Sequence, residues 1–143
     1  MIKAENGFEL VFDAKSENEA FARKCVSAFL AQLDPTVGEL ADLRTAVSEA
    51  VTNCIIHGYK NSGEGRIYIG VRRYARRKVV IRIKDEGCGM EDPEKCREPL
   101  FTSDPSGERG GMGFAIMENF TDRMKIKTAV GKGTTVTLVK TLL

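Results

Sequence analysis

Short cysteine motifs and long apolar runs are both missing from this 143-residue sequence. Its four cysteines form no C-x-x-C pair, so their spacing does not favour a metal site or a disulfide framework. No apolar run reaches 18 residues, which argues against a membrane-spanning helix. The amino-terminal residues contain no apolar signal segment, so we expect a cytoplasmic protein that is not exported.

Excess charge of one sign is also missing. The sequence has 22 basic and 20 acidic residues, giving a net charge of +2. This balance provides no global field that would attract nucleic acid or an anionic membrane. A basic cluster lies at residues 72–78, but Tyr74 is its only aromatic residue, and we interpret the cluster as a solvated turn. We therefore expect neither a nucleic-acid partner nor a membrane partner.

Hydrophobic periodicity predicts an α+β fold. Alternating apolar residues predict strands at about 8–13, 67–71, 79–83, 124–128 and 134–139. Helical spacing predicts helices over about 16–33, 35–58 and 112–120. This order favours a two-layer α/β sandwich, in which helices cover one face of a mixed β-sheet. Because no long linker divides the chain, residues 1–143 are expected to form a single domain.

Two local patterns predict where the first helices begin. Ser16 and Glu19 have the spacing of a capping box, which would start the first helix. Asp34 and Pro35 would end that helix and cap the second, with proline at the first helical position.

Glu49 and Asn53 form the first polar motif. They lie four residues apart on the predicted second helix and therefore project from the same face. An asparagine oxygen is a neutral, hard ligand for magnesium, and a glutamate one turn earlier can orient or deprotonate a hydroxyl group. The alternative is an ordinary solvated pair, since such spacing is common on exposed helix faces.

Asp85 begins the second motif, at the end of an alternating strand. Gly87 and Gly89 follow it and allow the backbone to bend sharply and approach a flat ligand. An aspartate in this position can accept a hydrogen bond from an exocyclic amine. The alternative is a simple Asp-Glu-Gly turn.

The third motif is a group of glycines, Gly110, Gly111 and Gly113, before a predicted apolar helix. Nearly bare amides at a helix N-terminus favour phosphate, although a flexible hinge would have the same composition. Neither a P-loop nor a dinucleotide-binding glycine motif is present. Residues 91–110, rich in proline, glycine and charge, predict a long mobile loop over the site, and loops of that length are usually functional.

Together these motifs resemble the N, G1, G2 and G3 boxes of the GHKL (Bergerat-fold) ATPases and kinases. The resemblance extends from about Phe8 to Leu142, and within the family the chain is most similar to anti-sigma factors that are also serine kinases. The matching segments are Ser48-Glu-Ala-Val-Thr-Asn53-Cys-Ile-Ile-His57, Asp85-x-Gly87-x-Gly89, Gly111-Met-Gly113 and Gly131-Lys-Gly133-Thr-Thr135.

The resemblance implies a homodimeric protein that binds ATP and Mg²⁺, phosphorylates a serine of an anti-anti-sigma factor, and alternatively binds and inhibits a sporulation-type sigma factor. Asn53 would hold Mg²⁺, Glu49 would be the general base, and Asp85 would accept the adenine amine. Arg109 would approach the γ-phosphate. The remaining nucleotide-binding residues that it implies are Gly87, Gly89, Thr102, Gly111, Met112, Gly113, Thr134 and Thr135.

Arg23 is the implied partner-binding residue. It lies away from an apolar stripe through Phe21, Cys25 and Phe29, so we expect its side chain to be exposed. A solvated charge with no partner is the alternative. The single histidine, His57, is interpreted as support for the end of the second helix.

Two other functions are compatible with the same motifs. In one, ATP orders the loop to form a docking surface without phosphate transfer, but the presence of Glu49 argues against this. In the other, the domain is the ATPase part of a larger machine such as a topoisomerase or a mismatch-repair protein, and we expect such a machine to need a further transducer domain. Gly110 and Cys88 depart from the usual family residues, but both preserve the backbone requirements.

Overall fold

The computed structural model describes residues 2–92 and 113–143. Within them, five strands form the sheet: β1 (Asn6–Asp13), β2 (Arg66–Tyr74), β3 (Lys78–Asp85), β4 (Arg123–Ala129) and β5 (Gly133–Thr141). The helices described are α1 (Glu17–Ala31), α2 (Val37–Asn53) and α3 (Phe114–Phe120). A π-helical turn, Cys54–Gly58, continues α2, and a 3₁₀ turn, Ala75–Arg77, joins β2 to β3.

The strands are ordered β1-β2-β3-β5-β4. This confirms the α+β class, but all four pairings between the described strands are antiparallel, whereas a mixed sheet was expected. β3 and β4 run in the same direction without touching, because β5 pairs with both of them. The β4–β5 hairpin therefore inserts its second strand between β4 and the rest of the sheet.

One face of the sheet forms the core with the helices. The alternating residues Ile67 and Ile69 of β2 and Ile81 and Ile83 of β3 are fully buried, while Arg82 between the last two is exposed. The helices contribute buried residues to this same cluster. Strand alternation thus separates a covered face from an open face, as the sequence predicts.

The buried stripe of α1 differs from the predicted one. Ala22, Val26 and Leu30 are buried, whereas Phe21 is 55% exposed. Small and aliphatic residues therefore line the contact with the core, and Phe29 is only partly buried against it, where its ring packs 5.0 Å from that of Phe8. The buried stripe is shifted by one residue from the predicted one. This rotation of α1 brings Arg23 closer to the adjacent helix α2.

The helix caps also differ from the prediction. The Ser16 side chain makes no capping hydrogen bond, so the predicted box at α1 is wrong. At α2 the cap is Thr36, one residue beyond the expected Asp34-Pro35 pair. Its hydroxyl oxygen accepts from the Glu39 N–H at 3.0 Å, while a Glu39 carboxylate oxygen accepts from the Thr36 N–H at 2.9 Å.

Glu39 also fixes the carboxyl-terminal end of the chain. Its Oε2 atom accepts a hydrogen bond from the Leu143 N–H at 2.8 Å, although the side chain is buried. The backbone N–H of Thr36 is the main cause of a lowered Glu39 pKa, and the N–H of Leu143 acts in the same direction. This carboxylate is therefore stabilised in its charged form by the fold itself.

Several members of the basic cluster bind groups of the protein itself. The Arg77 Nε–H donates to the Leu143 carbonyl oxygen at 2.8 Å, and an Arg72 Nη1–H donates to the Phe8 carbonyl oxygen at 3.1 Å. These contacts hold neighbouring chain segments together. No helix within residues 2–92 and 113–143 is long and apolar enough to cross a membrane.

Candidate functional site

A cavity of about 520 Å³ lies between the end of α2 and the ends of β3 and β5. Asn53, Asp85, Gly89 and Thr134, four of the residues singled out in the sequence, line it. Strand pairing explains part of this arrangement, because Asp85 lies directly opposite Thr134 on the neighbouring strand. A volume of this size is typical of small-molecule sites.

Asp85 is the buried acid of the cavity. Its side chain is 4% exposed, and its carboxylate accepts a hydrogen bond from the Gly87 N–H at 2.9 Å. Burial raises the pKa of this carboxyl group, although hydrogen bonds from Gly87, the Cys54 thiol and the Thr134 backbone oppose the rise. A ligand amine that donates to Asp85 would compensate for part of the water lost on burial.

Asp85 is held in place by two residues that were not identified from the sequence, Cys54 and Gly58. Cys54 is buried beside it, and burial followed by the Asp85 charge raises the pKa of the Cys54 thiol, which therefore stays protonated as a donor. A Cβ atom on Gly58 would lie 2.9 Å from the Asp85 Cγ atom. Neither residue forms a local sequence pattern with Asp85, so only their position in the turn after α2 could have indicated them.

The loop after Asp85 is fixed to two other parts of the chain. The Cys88 N–H donates to the Gly58 carbonyl oxygen at 2.9 Å, and the Gly131 N–H donates to the Cys88 carbonyl oxygen at 2.7 Å. A Cβ atom on Gly87 would come closer than 3.0 Å to the Gly58 carbonyl oxygen. Glycine at position 87 therefore allows the close approach of this loop to the turn after α2.

Thr134 is held at the rim through a second threonine. The Thr128 and Thr134 hydroxyl oxygens are 2.9 Å apart, and the Thr128 oxygen also accepts from the Met90 N–H at 3.0 Å. The β4–β5 hairpin thus connects directly to the loop that follows Asp85. Thr128 was not identified from the sequence.

Asn53 is the last residue of α2, immediately before the π-helical turn, and is 7% exposed. His57 lies within that turn and is buried, but it also lines the cavity, which its predicted role as helix support did not include. Wider turns of this kind occur frequently at functional sites. The described residues contain no group of three or more acidic, histidine or cysteine side chains that could hold a metal ion.

Glu49 lies outside the cavity lining. It belongs to a separate groove, which it forms with Arg23, Ala41, Arg44, Thr45 and Ser48. The next residue, Ala50, lines the cavity, so Glu49 stands at the boundary between the two spaces. Gly113 packs against it with a φ of 74°, and a Cβ atom there would come closer than 3.0 Å to a Glu49 carboxylate oxygen.

Arg23 is half-buried rather than exposed as expected. Its Nη1 atom lies 3.7 Å from a Glu19 carboxylate oxygen, and that same oxygen accepts a hydrogen bond from the Ser48 hydroxyl group. Glu19 therefore links Arg23 to the helix that carries Glu49. This contact replaces the capping role that the sequence suggested for Glu19.

Thr135 does not join the other predicted nucleotide-binding residues. It pairs with Lys84 and lies in a shallow depression of the open sheet face, which also contains Tyr68 and Arg82. Side chains alternate along a strand, so Thr134 and Thr135 cannot both face the cavity. Four predicted residues fall outside the described part of the chain: Thr102, Arg109, Gly111 and Met112.

Comparison with known sequences gives strong matches along the chain. A sequence model described as the histidine kinase-like ATPase domain matches residues 12–140. A Bacillus licheniformis protein named anti-sigma F factor is 53% identical over 138 residues, covering 96% of this chain and 94% of that protein. The Bacillus subtilis protein of the same name is 51% identical, with the same coverage of 96% and 94%.

Solved structures share the fold. The crystal structure of the RsbU and RsbW domains of a Mycobacterium tuberculosis protein gives a TM-score of 0.71 at 22% identity, over 96% of this chain and 32% of that one. A blue-light activated histidine kinase from Erythrobacter litoralis gives a TM-score of 0.57 at 18% identity, over 76% of this chain and 32% of that one. These similarities establish the architecture alone.

Proposed function

We propose that this chain, which belongs to the histidine kinase-like ATPase family and within it to the anti-sigma F factors, is an ATP-dependent protein serine kinase that also binds and inhibits a sporulation-type sigma factor. The observation that carries the proposal is the position of Glu49 between two spaces. On one side lies the cavity with Asn53 and Asp85, and on the other the groove with Arg23. A base at such a boundary can reach both a nucleotide phosphate and a protein hydroxyl group.

The nucleotide would enter the cavity with its adenine at Asp85. The buried carboxylate accepts from the adenine amine, while the raised pKa of Asp85 reflects the burial that excludes water from this contact. The triphosphate would extend toward Gly113 at the start of α3. The predicted contacts of Arg109, Gly111 and Met112 belong to this phosphate end.

Magnesium fits this site as an ion that is bound jointly by the protein and the nucleotide phosphates. Asn53 lines the cavity and offers one hard amide oxygen, and the described residues provide no cluster of three metal-binding side chains. Mg²⁺ commonly keeps several water ligands and binds through substrate phosphates and one or two protein oxygens. Asn53 would thus hold an ion that neutralises charge on the triphosphate when it is bound.

The proposed reaction transfers the γ-phosphoryl group to a serine hydroxyl group. The serine oxygen forms a bond to the γ-phosphorus as the bond to the β–γ bridging oxygen breaks, and ADP leaves with that oxygen. Glu49 takes the hydroxyl proton, and the cationic Arg109 would stabilise the charge on the transferring group. The acceptor is a serine of an anti-anti-sigma factor.

Arg23 would connect catalysis to partner choice. Its place in the groove beside Glu49 supports a contact between Arg23 and a docked protein. The sigma factor and the anti-anti-sigma factor would compete for this region, so that phosphorylation of one controls capture of the other. We further propose that the protein acts as a homodimer in the cytoplasm.

The test is transfer of labelled γ-phosphate from ATP to an anti-anti-sigma protein, with mapping of the labelled residue. Glu49→Gln should lower the transfer rate by about a hundredfold or more, the range expected for a general base, and leave ATP affinity within about twofold. Glu17→Gln, at an exposed position of α1, is the matched control and should match the native chain.

Two results would contradict parts of this proposal. If Glu49→Gln abolishes ATP binding, Glu49 is structural and the base is another group. If the native chain binds ATP and captures a sigma factor but transfers no phosphate to a docked anti-anti-sigma protein, it is a nucleotide-dependent antagonist and not a kinase.

A further inference from the structure

The groove beside Glu49 is separate from the nucleotide cavity. Its volume is about 260 Å³, and none of the six described residues that line it also lines the cavity. Five of them lie on α2, and Arg23 closes the groove from α1. A segment bound in this groove would therefore run along α2 and pass Glu49.

The hydroxyl groups of the groove already donate to other atoms. The Ser48 hydroxyl donates to Glu19, and the Thr45 hydroxyl donates to the Ala41 carbonyl oxygen at 3.0 Å. The side-chain N–H donors that remain on the lining are those of two guanidinium groups, Arg23 and Arg44.

The two arginines differ in what holds them. Arg23 is paired with Glu19, although its Nε atom is buried without a hydrogen-bond partner among the described residues. Arg44 is exposed and has no hydrogen bond or ion pair within residues 2–92 and 113–143. Arg44 therefore presents a planar cation that is not held by another described residue to whatever occupies the groove.

We infer that Arg44 is a specificity-determining residue, which binds a carboxylate on the segment that carries the phosphorylated serine. This inference rests on the proposed kinase function and adds the chemistry of the acceptor. A guanidinium group binds a carboxylate through two parallel hydrogen bonds, which fixes orientation as well as position. The nucleotide phosphates are a poorer occupant, because Arg44 lies outside the cavity that holds them.

The helix geometry sets the spacing of the acceptor motif. Arg44 precedes Glu49 by five residues, which is about 7.5 Å along the helix axis. An extended segment rises about 3.3 Å per residue, so the acidic residue should lie about two or three residues from the serine. The segment would be oriented with its acidic end toward the N-terminus of α2.

The experiment measures KM and kcat for an anti-anti-sigma protein with native chain, Arg44→Glu and Arg44→Lys. Arg44→Glu should raise KM about tenfold or more, with kcat and the Kd for ATP within about twofold of native values. Arg44→Lys should fall between the two, because it keeps charge without the planar fork. Arg82→Glu, at an exposed position on the open sheet face, is the matched control and should leave KM unchanged.

A charge swap then tests the spacing. Changing the acidic residue two or three positions from the acceptor serine to arginine should raise KM for the native chain and restore KM for Arg44→Glu. An unchanged KM in Arg44→Glu, an equal effect of Arg82→Glu, or a loss confined to ATP or sigma-factor binding would overturn the inference.

Failure of the kinase proposal can be distinguished from failure of this one. If the native chain transfers no phosphate, calorimetric titration of the same acceptor in the presence of a non-hydrolysable ATP analogue still measures docking. A tenfold weaker Kd for Arg44→Glu would then support the recognition role, and equal Kd values would refute it.

Discussion

Replacing Asp85 with asparagine should weaken ATP binding without destabilising the unliganded protein. The substitution keeps the shape of the side chain and removes its charge. Asp85 is 4% exposed, and burial is the largest influence on its raised pKa. The cavity therefore contains a carboxylate whose charged form is disfavoured, and a ligand amine that donates a hydrogen bond to it would relieve this cost.

The size of the affinity loss follows from the type of hydrogen bond. A hydrogen bond to a charged group contributes about 1.5–3 kcal/mol, which corresponds to about a 10- to 150-fold change in Kd. Asp13→Asn is the matched control, since Asp13 is also the last residue of a strand but is exposed. Isothermal titration calorimetry with ATP and GTP adds a second readout. GTP carries a carbonyl oxygen where ATP carries the amine, so Asp85→Asn should narrow the preference for ATP.

The stability prediction depends on the sign of the pKa shift. The folded-state pKa of Asp85 lies above the unfolded value of 3.8. Between these two values the native protein binds more protons than the unfolded chain, so the free energy of unfolding decreases as pH rises through this window. Asp85→Asn removes this term, and the unliganded variant should have a Tm at pH 7 equal to or above that of the native chain.

Differential scanning fluorimetry with and without ATP separates the two effects. Native chain and variant should differ strongly in the shift of Tm caused by ATP and little in its absence. A drop of several degrees in the unliganded variant would show that Asp85 holds the fold together through Gly87 and Cys54. Unchanged ATP affinity would refute its role as the adenine acceptor outright.

Two further predictions concern Glu39 and the adjacent threonines of β5. Glu39→Gln should lower the free energy of unfolding by about 1 kcal/mol in urea melts at pH 7, because it weakens a capping box and the contact to Leu143. The folded-state pKa of Glu39 is lowered, so the stability that its charged form contributes is complete above the unfolded value of 4.5 and is lost as pH falls through the folded-state value. If Glu39→Gln lowered the free energy of unfolding equally at pH 7 and at pH 3, this reasoning would be contradicted. Thr134→Ala should weaken ATP binding measurably, whereas Thr135→Ala should leave the Kd unchanged, and the reverse order would show that the cavity is not the nucleotide site.

The sheet was predictable because its residues alternate between a covered and an open face. Ile67, Ile69 and Val71 are all buried. Because they alternate with more exposed residues, a shift of the strand by one residue would move all three to the open face. The strand order was not predictable in the same way. The position of β5 between β3 and β4 depends on long-range pairing, which a local pattern does not contain.

Helix α1 shows where periodicity is ambiguous. Two stripes of apolar residues run along this helix, shifted by one residue from each other. One passes through Phe21 and the other through its neighbour Ala22. The more hydrophobic stripe was expected to be buried, but the helix buries Ala22 and leaves Phe21 more than half exposed. Local capping rules failed at the same helix because Ser16 has helical backbone angles, whereas a capping residue is typically extended. The Glu19 side chain instead contacts Ser48, which is 29 residues away.

The candidate site was predictable as a set of residue types but not as a geometry. The spacing of Glu49 and Asn53 indicated a shared space, yet Asn53 lines the cavity and Glu49 lines the neighbouring groove. Packing of Gly113 against the Glu49 carboxylate accompanies this separation. In contrast, the alternation rule applied to β5 would have placed Thr134 and Thr135 on opposite faces without any structure.

Two buried carboxyl groups distinguish the site from the scaffold on physical grounds alone. Glu39 is buried, but its pKa is lowered because the fold supplies backbone N–H donors from Thr36 and Leu143. Asp85 is buried too, but its pKa is raised because the donors around it do not offset its loss of water. The first acid is stabilised in its charged form by the chain itself, whereas the second keeps a cost of burial that a donor on a bound ligand would lower. Perturbed acids of the second kind are concentrated at functional sites, so the raised pKa of Asp85 supports this cavity as the candidate site on grounds separate from the family resemblance.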